Sequence, residues 1–589
     1  MYRYVAHNIC LLIFPNSRNY KKMYLCCPKM INLRYNILKD IMGKYPHYLE
    51  RLQAATRKYW DKPALNNIGG ESFTYAQMAR SIARFHIVFE YAGIKKGERI
   101  ALCAQNGARW GFAYLAVNTY ETVIVPILAD FKPESVIGLV NHSGSIALFT
   151  DLEKWSKMDV KEMPDVRAVF DVNTLKLLFC NDEKIQYAFE HLDELFEKKY
   201  PNGFGPDDVV YPTDNWDNLS TINYTSGSTG DPKGVMLTYR NFSANVDFSQ
   251  RHVPAGDKMV SMLPMAHMYG LVIEFLYPLS NGTSIYWLGK APTPAALMKA
   301  FADVKPYLLI TVPLVMEKIY KSKIKPMIDK PAIKFALKVP VLNSIIYKKI
   351  KDGLVAAFGG NCEEFIMGGA ALNPEVERIF KKIKFPYLVG YGMTEACPLL
   401  AYEHWTKYVP GSCGKPVDVA EVRIDSDDPQ HSVGEIQARG ENITIGYYNN
   451  PEATANAFTE DGWLKTGDLG IMDADGNIFI RGRSKNMILG PSGQNIYPEE
   501  IEAVVNNQDY VIESVVVDRG GKLVALVYLD EQAIAKSLLD PEAKDAIPEN
   551  IRLASNRKLP VYSQIAKVEI QAVPFEKTPK MSIRRFLYK

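Results

Sequence analysis

Long apolar runs are missing from this 589-residue chain. A bilayer-crossing helix needs about 20 consecutive apolar residues. The longest candidate near the start, Ile9 to Phe14, is six residues long and runs into Pro-Asn-Ser-Arg-Asn. A signal peptide is not expected either, because it needs a longer apolar core and a small-residue cleavage site. Cysteine is also sparse. Of eight, Cys10, Cys26 and Cys27 lie near the start, and Cys103, Cys180, Cys362, Cys397 and Cys413 are too scattered for metal-ligand spacing. That pattern suits free thiols in a reducing cytoplasm. An excess of one charge is lacking too, although the net charge of +3 conceals this. Residues 1–41 hold seven Lys/Arg (Arg3, Arg18, Lys21, Lys22, Lys29, Arg34, Lys39) against Asp40 alone, leaving 62 basic and 65 acidic side chains elsewhere. A slightly acidic body is not a nucleic-acid binder by charge. Residues 1–41 are expected to be a dispensable extension, disordered or not native, with Met42 as an alternative start.

What is present is ordinary for a soluble globular protein: 47% hydrophobic and 23% charged residues. The length implies at least two domains. From about Tyr48 the pattern becomes regular. Tyr48, Leu52, Ala55 and Tyr59 fall at helical spacing, and Lys62-Pro63-Ala64-Leu65 opens a strand. Helical patterns then alternate with short apolar runs: Arg99 to Cys103, Val123 to Ile127 and Ile146 to Thr150, and later Met259 to Leu263, Thr283 to Leu288, Tyr307 to Val312, Glu364 to Met367 and Tyr387 to Val389. Strands alternating with helices predict an α/β fold with mostly parallel sheets covered on both faces. Loops are expected over 203–218 and 425–432.

Between Glu317 and Lys351 the texture differs, with ten lysines interleaved with Ile, Leu, Val and Phe. Two readings stay open for this helical stretch: a solvated face, or a basic amphipathic surface that meets anionic lipid or ligand phosphates. The last hundred or so residues read as a small separate α/β unit. Residues 482–485 interrupt a strand pattern as a hinge would, and Ile488-Leu489, Glu499 to Val505 and Ser514 to Val517 follow as strand, helix and strand.

Residues 222–235 read Ile-Asn-Tyr-Thr-Ser-Gly-Ser-Thr-Gly-Asp-Pro-Lys-Gly-Val. An apolar, β-prone entry leads into a loop of Gly, Ser and Thr and then a lysine. Gly227, Gly230 and Gly234 can turn through positive φ and approach an anion closely. Loop N–H groups and the hydroxyls of Thr225, Ser226, Ser228 and Thr229 donate to phosphate oxygens, and Lys233 adds a compact positive charge. A flexible linker seldom sits between two strand-like runs. The Walker pattern does not apply, because Pro232 precedes Lys233 and Gly234 follows it.

Further clusters follow apolar strands: Met367-Gly-Gly-Ala-Ala-Leu372, where two glycines allow a flat ligand near the backbone, and Tyr391-Gly-Met-Thr-Glu395. Strand ends of open α/β sheets are where ligands bind. Lys465-Thr-Gly-Asp468 puts a carboxylate after a glycine turn, suited to a diol. His267, in Pro264-Met-Ala-His-Met-Tyr-Gly270, reads by itself as either a core histidine or a ligand contact.

In their order, the loop at 225–234, His267, Gly368 to Leu372, Tyr391 to Glu395, Thr466-Gly-Asp468 and Arg483 resemble the adenylate-forming (AMP-binding) superfamily, over roughly residues 48–589. Within it the lysine-rich insert and Arg483-Ser-Lys-Asn486 are similar to those of long-chain fatty acid–CoA ligases. The resemblance implies a large AMP-binding domain over 42–481, built of α/β subdomains with mixed and parallel sheets plus a small β-rich part. A hinge at 482–485 and a small mobile C-terminal α/β domain over 486–589 would follow. It implies ATP, Mg²⁺ and coenzyme A, and a fatty acid made first into an acyl-adenylate and then a thioester. Thr225, Ser226, Gly227, Ser228, Thr229, Gly230 and Lys233 would hold the β- and γ-phosphates. Glu395 would hold Mg²⁺, and Thr394 would contact the α-phosphate. Gly368, Gly369, Ala370, Tyr391 and Gly392 would bracket adenine. Asp468 and Arg483 would take the ribose side, and His267 would lie beside the acyl carboxylate. Lys485 would occupy the hinge, and Gly493 would leave room for the pantetheine arm.

One departure stands at the C-terminal end. The superfamily's lysine for adenylation aligns with Ser582 in Lys577-Thr-Pro-Lys-Met-Ser-Ile-Arg-Arg585, with Lys580 two residues upstream. Residues two apart in extended chain point the same way about 7 Å apart, so Lys580 is the expected substitute. The alternatives are an acyl-adenylate ligase that loads an acyl-carrier protein, and a degenerate, non-catalytic binder of nucleotide or acyl ligand. The expected location is cytoplasmic, with peripheral membrane contact resting on the 317–351 lysines.

Overall fold

Hydrophobic spacing becomes packing from the first helix onward. The computed structural model describes residues 45–225, 232–289, 294–490, 494–537, 540–577 and 583–588, so the expectation for residues 1–41 lies outside the described residues. Tyr48–Lys58 is a helix that buries Tyr48, Leu52 and Ala55 of the predicted stripe together with Leu49, while Tyr59 follows the helix and is half-buried. Thr74 starts the helix Tyr75–Tyr91 with a reciprocal capping box to Gln77. Thr238 does the same with Asn241 for Tyr239–His252.

The largest sheet has eight strands. Its centre is parallel: Val123–Pro126, Arg99–Cys103, Ser145–Thr150 and Ala168–Asp171, with Leu219–Thr225 joining parallel beside Val123–Pro126. Antiparallel strands close both flanks, Leu177–Cys180 on one and Lys233–Thr238 followed by Gly446–Tyr447 on the other. A four-stranded sheet holds Lys258–Ser261, Ser284–Trp287, Pro63–Asn67 and Ser72–Thr74. The helix Ala108–Thr119 is buried nearly all round, as expected of an element packed on every side. A Cβ on its Gly111 would lie 2.9 Å from Leu65 and 3.2 Å from Phe275, so only glycine allows that approach.

A third, parallel sheet joins Leu308–Thr311, Glu364–Met367 and Tyr387–Val389, the last two at the bounds the sequence predicts. Two antiparallel sheets make the β-rich part. One holds Tyr391–Gly392, Leu399–Tyr402 and Lys415–Pro416, the other Ala420–Asp425, Gly434–Gly440, Leu464–Met472 and Ile478–Arg483. The expected interruption at Gly482 is instead the end of that last strand, with Asp468 paired to Arg483. The C-terminal unit pairs Val511–Asp518, Leu523–Leu529 and Lys567–Gln571 beside the helices Pro498–Val505 and Ile547–Asn556.

The lysine-rich stretch is helical, as expected, through Pro313–Ile319, Tyr320–Ile324, Lys325–Ile328, Pro331–Ala336 and Pro340–Ala357. Its lysines do not form one surface. Lys321 donates through Nζ to the Asn506 and Val511 carbonyls at 2.7 and 3.2 Å, and Lys325 lies 3.9 Å from Asp509. Asn373 adds a 2.6 Å bond to Asn507. The first lysines of the stretch thus tie the large domain to the C-terminal unit.

Candidate active site

Thr225, Gly368 and Arg483 stand at strand ends, where ligands of open α/β sheets are met, whereas Asp468 lies within the strand Leu464–Met472. Thr225 ends one strand and Lys233 begins its antiparallel partner, and the two are directly paired. Ser226, Gly227, Ser228, Thr229 and Gly230 lie outside the described residues, as do Gly493 and Lys580. Gly234 departs from expectation. It is a strand residue paired with Tyr224, and positive φ is not its purpose. A Cβ there would stand 2.8 Å from Ile222 and 3.2 Å from Tyr224, so glycine serves cross-strand packing.

One cluster forms around Glu395. Lys233 Nζ stands 5.1 Å over the Tyr447 ring, and the Tyr447 hydroxyl donates to Glu395 Oε1 at 2.9 Å. Glu395 lies in the short 3-10 turn Thr394–Ala396, where Thr394 is buried. That turn is fastened on both sides: Thr444 N–H donates to the Glu395 carbonyl at 2.8 Å, and Asn245 Nδ2 donates to the Ala396 carbonyl at 3.0 Å. Gly392 just before it admits no side chain, since a Cβ would meet the Pro398 carbonyl oxygen at 2.2 Å. Tyr447, Thr444 and Asn245 were not readable from spacing. Asn245 comes from a distant helix, and the other two from the strand added at the sheet edge and the residues leading into it.

A second cluster centres on Asp468, which is 5% exposed. Tyr391 donates its hydroxyl to Oδ2 at 2.8 Å, and Arg483 Nε approaches Oδ1 at 2.9 Å. Burial raises the Asp468 carboxyl above the ordinary value, while Arg483 and the Tyr391 hydroxyl pull it down. Thr466 places the carboxylate by donating to the Ile436 carbonyl at 2.7 Å and accepting from Asp468 N–H at 3.1 Å. Lys485 has its ammonium pushed down by burial and by the charges of Arg483 and Lys233, with Asp468 opposing.

His267 lies in a turn, and its Nδ1 accepts from Tyr269 N–H at 3.2 Å. Three side chains hold this turn, Asn223 and Glu274 buried and Asn106 half-buried. Asn223 Nδ2 donates to the Ala266 carbonyl at 2.8 Å. Asn106 donates to the Leu263 carbonyl and accepts from Met265 N–H, at 2.7 and 2.9 Å. Glu274 accepts from Ser261 Oγ at 2.8 Å, Leu263 N–H at 2.9 Å and Met262 N–H at 3.1 Å. A lone carboxylate inside the apolar run Leu271 to Leu276 is a sequence signal that could have found Glu274. Tyr269 links this turn to the Gly368 strand end, where a Cβ would lie 2.9 Å from its ring. Gly369 follows at φ +86°, in the left-handed region, with Ala370 exposed beside it.

Glu274 carries a pH prediction. Burial pushes its carboxyl up to about 8, against the pull of its three donors. Such a group takes up a proton on folding, so its contribution falls as pH rises from about 5 to 8, by at most ~1.4 kcal/mol per unit. Glu274→Gln has no such proton and is expected to flatten that part of the slope in denaturant titrations. Equal slopes in wild type and variant would refute it.

Residues 52–448 match the family model described as AMP-binding enzyme. The chain belongs to the AMP-binding enzyme family. Residues 485–588 match the AMP-binding enzyme C-terminal domain, so both family units are present in order. Among curated relatives, long-chain-fatty-acid–CoA ligase FadD15 of Mycobacterium bovis is 26% identical over 87% of this chain and 89% of its own. The long-chain-fatty-acid–[acyl-carrier-protein] ligase AEE15, chloroplastic, of Arabidopsis thaliana is 25% identical over 90% and 84%. The anthranilate CoA ligase AuaEII, solved with anthranoyl-AMP, shares the fold with a TM-score of 0.73 at 18% identity, over 92% of this chain and 96% of that one. This AMP-binding enzyme is therefore an adenylate-forming ligase by family, with a large N-terminal and a smaller C-terminal domain.

Proposed function

We propose that this AMP-binding enzyme activates a long-chain fatty acid with ATP and transfers the acyl group to coenzyme A. The observation that carries the reading is the pair of clusters joined by the Tyr391–Glu395 segment: Lys233, Tyr447 and Glu395 on one side, Tyr391, Asp468 and Arg483 on the other. In the first step a carboxylate oxygen bonds to the α-phosphorus of ATP and the bond to pyrophosphate breaks. In the second the coenzyme A thiolate bonds to the acyl carbon and AMP leaves.

The residues suit these demands. Phosphoryl transfer asks for positioning and charge neutralisation more than covalent help. Thr225 and Lys233, with Ser226 to Gly230, would hold the leaving phosphates. Asp468 uses one contact on each oxygen, and a carboxylate has about four acceptor sites, leaving room for both ribose hydroxyls. Gly368, Gly369, Ala370, Tyr391 and Gly392 would flank adenine, where small residues permit a flat ring. The His267 imidazole would lie beside the acyl carboxylate and orient it.

The Glu395 carboxylate, with the Tyr447 hydroxyl on its Oε1, would offer the hard oxygen ligand that Mg²⁺ prefers. Bound there, Mg²⁺ supplies Lewis-acid neutralisation of phosphate charge. Residues 482–485 would act as the hinge and 486–589 as the moving domain, bringing Gly493 to the site for thioester formation.

The likeness to both CoA and acyl-carrier-protein ligases makes the acceptor the deciding measurement. Purified protein with ATP, Mg²⁺ and acids of graded chain length is expected to yield acyl-CoA, with long chains preferred. Product only with acyl-carrier protein would replace coenzyme A as acceptor, and a preference for short acids would overturn the long-chain assignment.

A further inference from the structure

The lysine-rich stretch ends in a surface that no part of the nucleotide site uses. Residues 318–362 contain ten lysines and only two acids, Asp329 and Asp352. Lys321 and Lys325 are committed to the C-terminal unit, and of the other eight, Lys330, Lys334, Lys338, Lys348 and Lys349 fall within residues 330–349. These five are exposed, and no acid falls between them in sequence. Two touch acids at their edges, Lys334 with Asp329 at 3.0 Å and Lys348 with Asp352 at 3.7 Å.

Large apolar side chains stand among these lysines, pointing to water. Phe335 is 72% exposed, Val341 71%, Ile345 59%, Leu342 45% and Val339 37%. The helix Pro340–Ala357 is divided lengthwise. Ile346, Tyr347, Ile350 and Leu354, at helical spacing, pack onto the core around the Glu364–Met367 sheet. Val341, Leu342 and Ile345 occupy the opposite side of its first two turns, followed by Lys348 and Lys349. The inner face explains the helix, and the outer face has no partner among the described residues. Five exposed apolar groups within eleven residues exceed the scattered apolar residues of a normal surface.

We propose that residues 330–349 are a membrane-docking tip that inserts Phe335, Val339, Val341, Leu342 and Ile345 into a bilayer while the surrounding lysines bind anionic phospholipid headgroups. The lysines select the occupant. A lone apolar face would fit any hydrophobic partner, but apolar groups ringed by one sign of charge match the layered chemistry of an anionic bilayer. The long lysine stems reach the headgroups while the apolar groups lie deeper. Two chains meeting through this face would oppose five lysines to five lysines, which disfavours a dimer. Docking needs no substrate and does not depend on the proposed reaction.

The full chain is mixed with vesicles of phosphatidylcholine alone or with phosphatidylglycerol, and the sedimented fraction is measured. Wild type is expected to sediment with the anionic vesicles, less so as salt rises. Lys330→Gln, Lys338→Gln and Lys349→Gln together are expected to weaken partition about a hundredfold, at roughly fivefold per lysine. Phe335→Asp with Val341→Asp is expected to abolish it while thermal stability and pyrophosphate exchange with a soluble acid stay unchanged. In Phe335→Trp, vesicles should shift the emission to the blue and brominated lipid should quench it relative to wild type. Equal sedimentation of wild type and variants would overturn the proposal, placing any binding elsewhere. An emission from the Phe335→Trp variant that ignores vesicles would do the same. A dimer dissolved by Phe335→Asp, without vesicle binding, would assign the face to a second copy and equally overturn it.

Discussion

Glu395→Gln is expected to lower acid-dependent ATP–pyrophosphate exchange by about 10²–10³-fold, the range for removing one charge-stabilising contact from a preorganised site. The fold should hardly notice. The amide oxygen of the substituted side chain can still accept from the Tyr447 hydroxyl, so the 2.9 Å bond to the carboxylate has a replacement. The variant loses the negative charge, and with it the hard ligand that Mg²⁺ prefers. Its residual activity should therefore need more Mg²⁺, with a right-shifted metal titration and an unchanged melting temperature. Full exchange at an unshifted Mg²⁺ dependence would remove Glu395 from the metal's ligand set.

Lys580→Ala is expected to cost a similar ~10²–10³ in exchange, but much less in the second half-reaction. Negative charge builds on the α-phosphate as pyrophosphate leaves, and a contact made only then accelerates only that step. Thioester formation from synthetic acyl-adenylate should accordingly fall by less than about tenfold. Lys577 is held by Glu513 at 2.6 Å, and it pairs with Ile583 in an antiparallel bridge. Lys580 is the middle residue of the five between them. Exchange untouched by the substitution would take Lys580 out of the mechanism. No exchange in wild type with any acid would favour the non-catalytic binder.

The legible parts of this chain are those that short-range chemistry dictates. Glu364–Met367 and Tyr387–Val389 were readable to the residue because buried parallel strands are short, continuous and apolar. Asp468, expected just after a glycine turn, lies instead inside the strand Leu464–Met472, where Gly467 takes φ +73°. Gly392 was readable because a glycine at a strand end has few other uses. Gly234 was misread for the same reason. A glycine near a phosphate loop suggests a turn, whereas here it makes space for Ile222 on the neighbouring strand. The lysines of 317–351 were readable as a group, but not their division between the C-terminal unit and solvent. That division depends on which side of each helix meets the rest of the molecule.

By itself the sequence determined the α/β class, the family and the order of the motifs. Each follows from local pattern, because strand, turn and charge are written within a few residues. The tertiary structure alone decided that Tyr447 joins Lys233 to Glu395, and that Tyr391 and Arg483 share Asp468. It also decided that Asn106, Asn223 and Glu274 together hold the His267 turn. Those partners are separated by tens to hundreds of residues. A hydrogen bond acts over about 3 Å, and only the packed chain brings such residues that close.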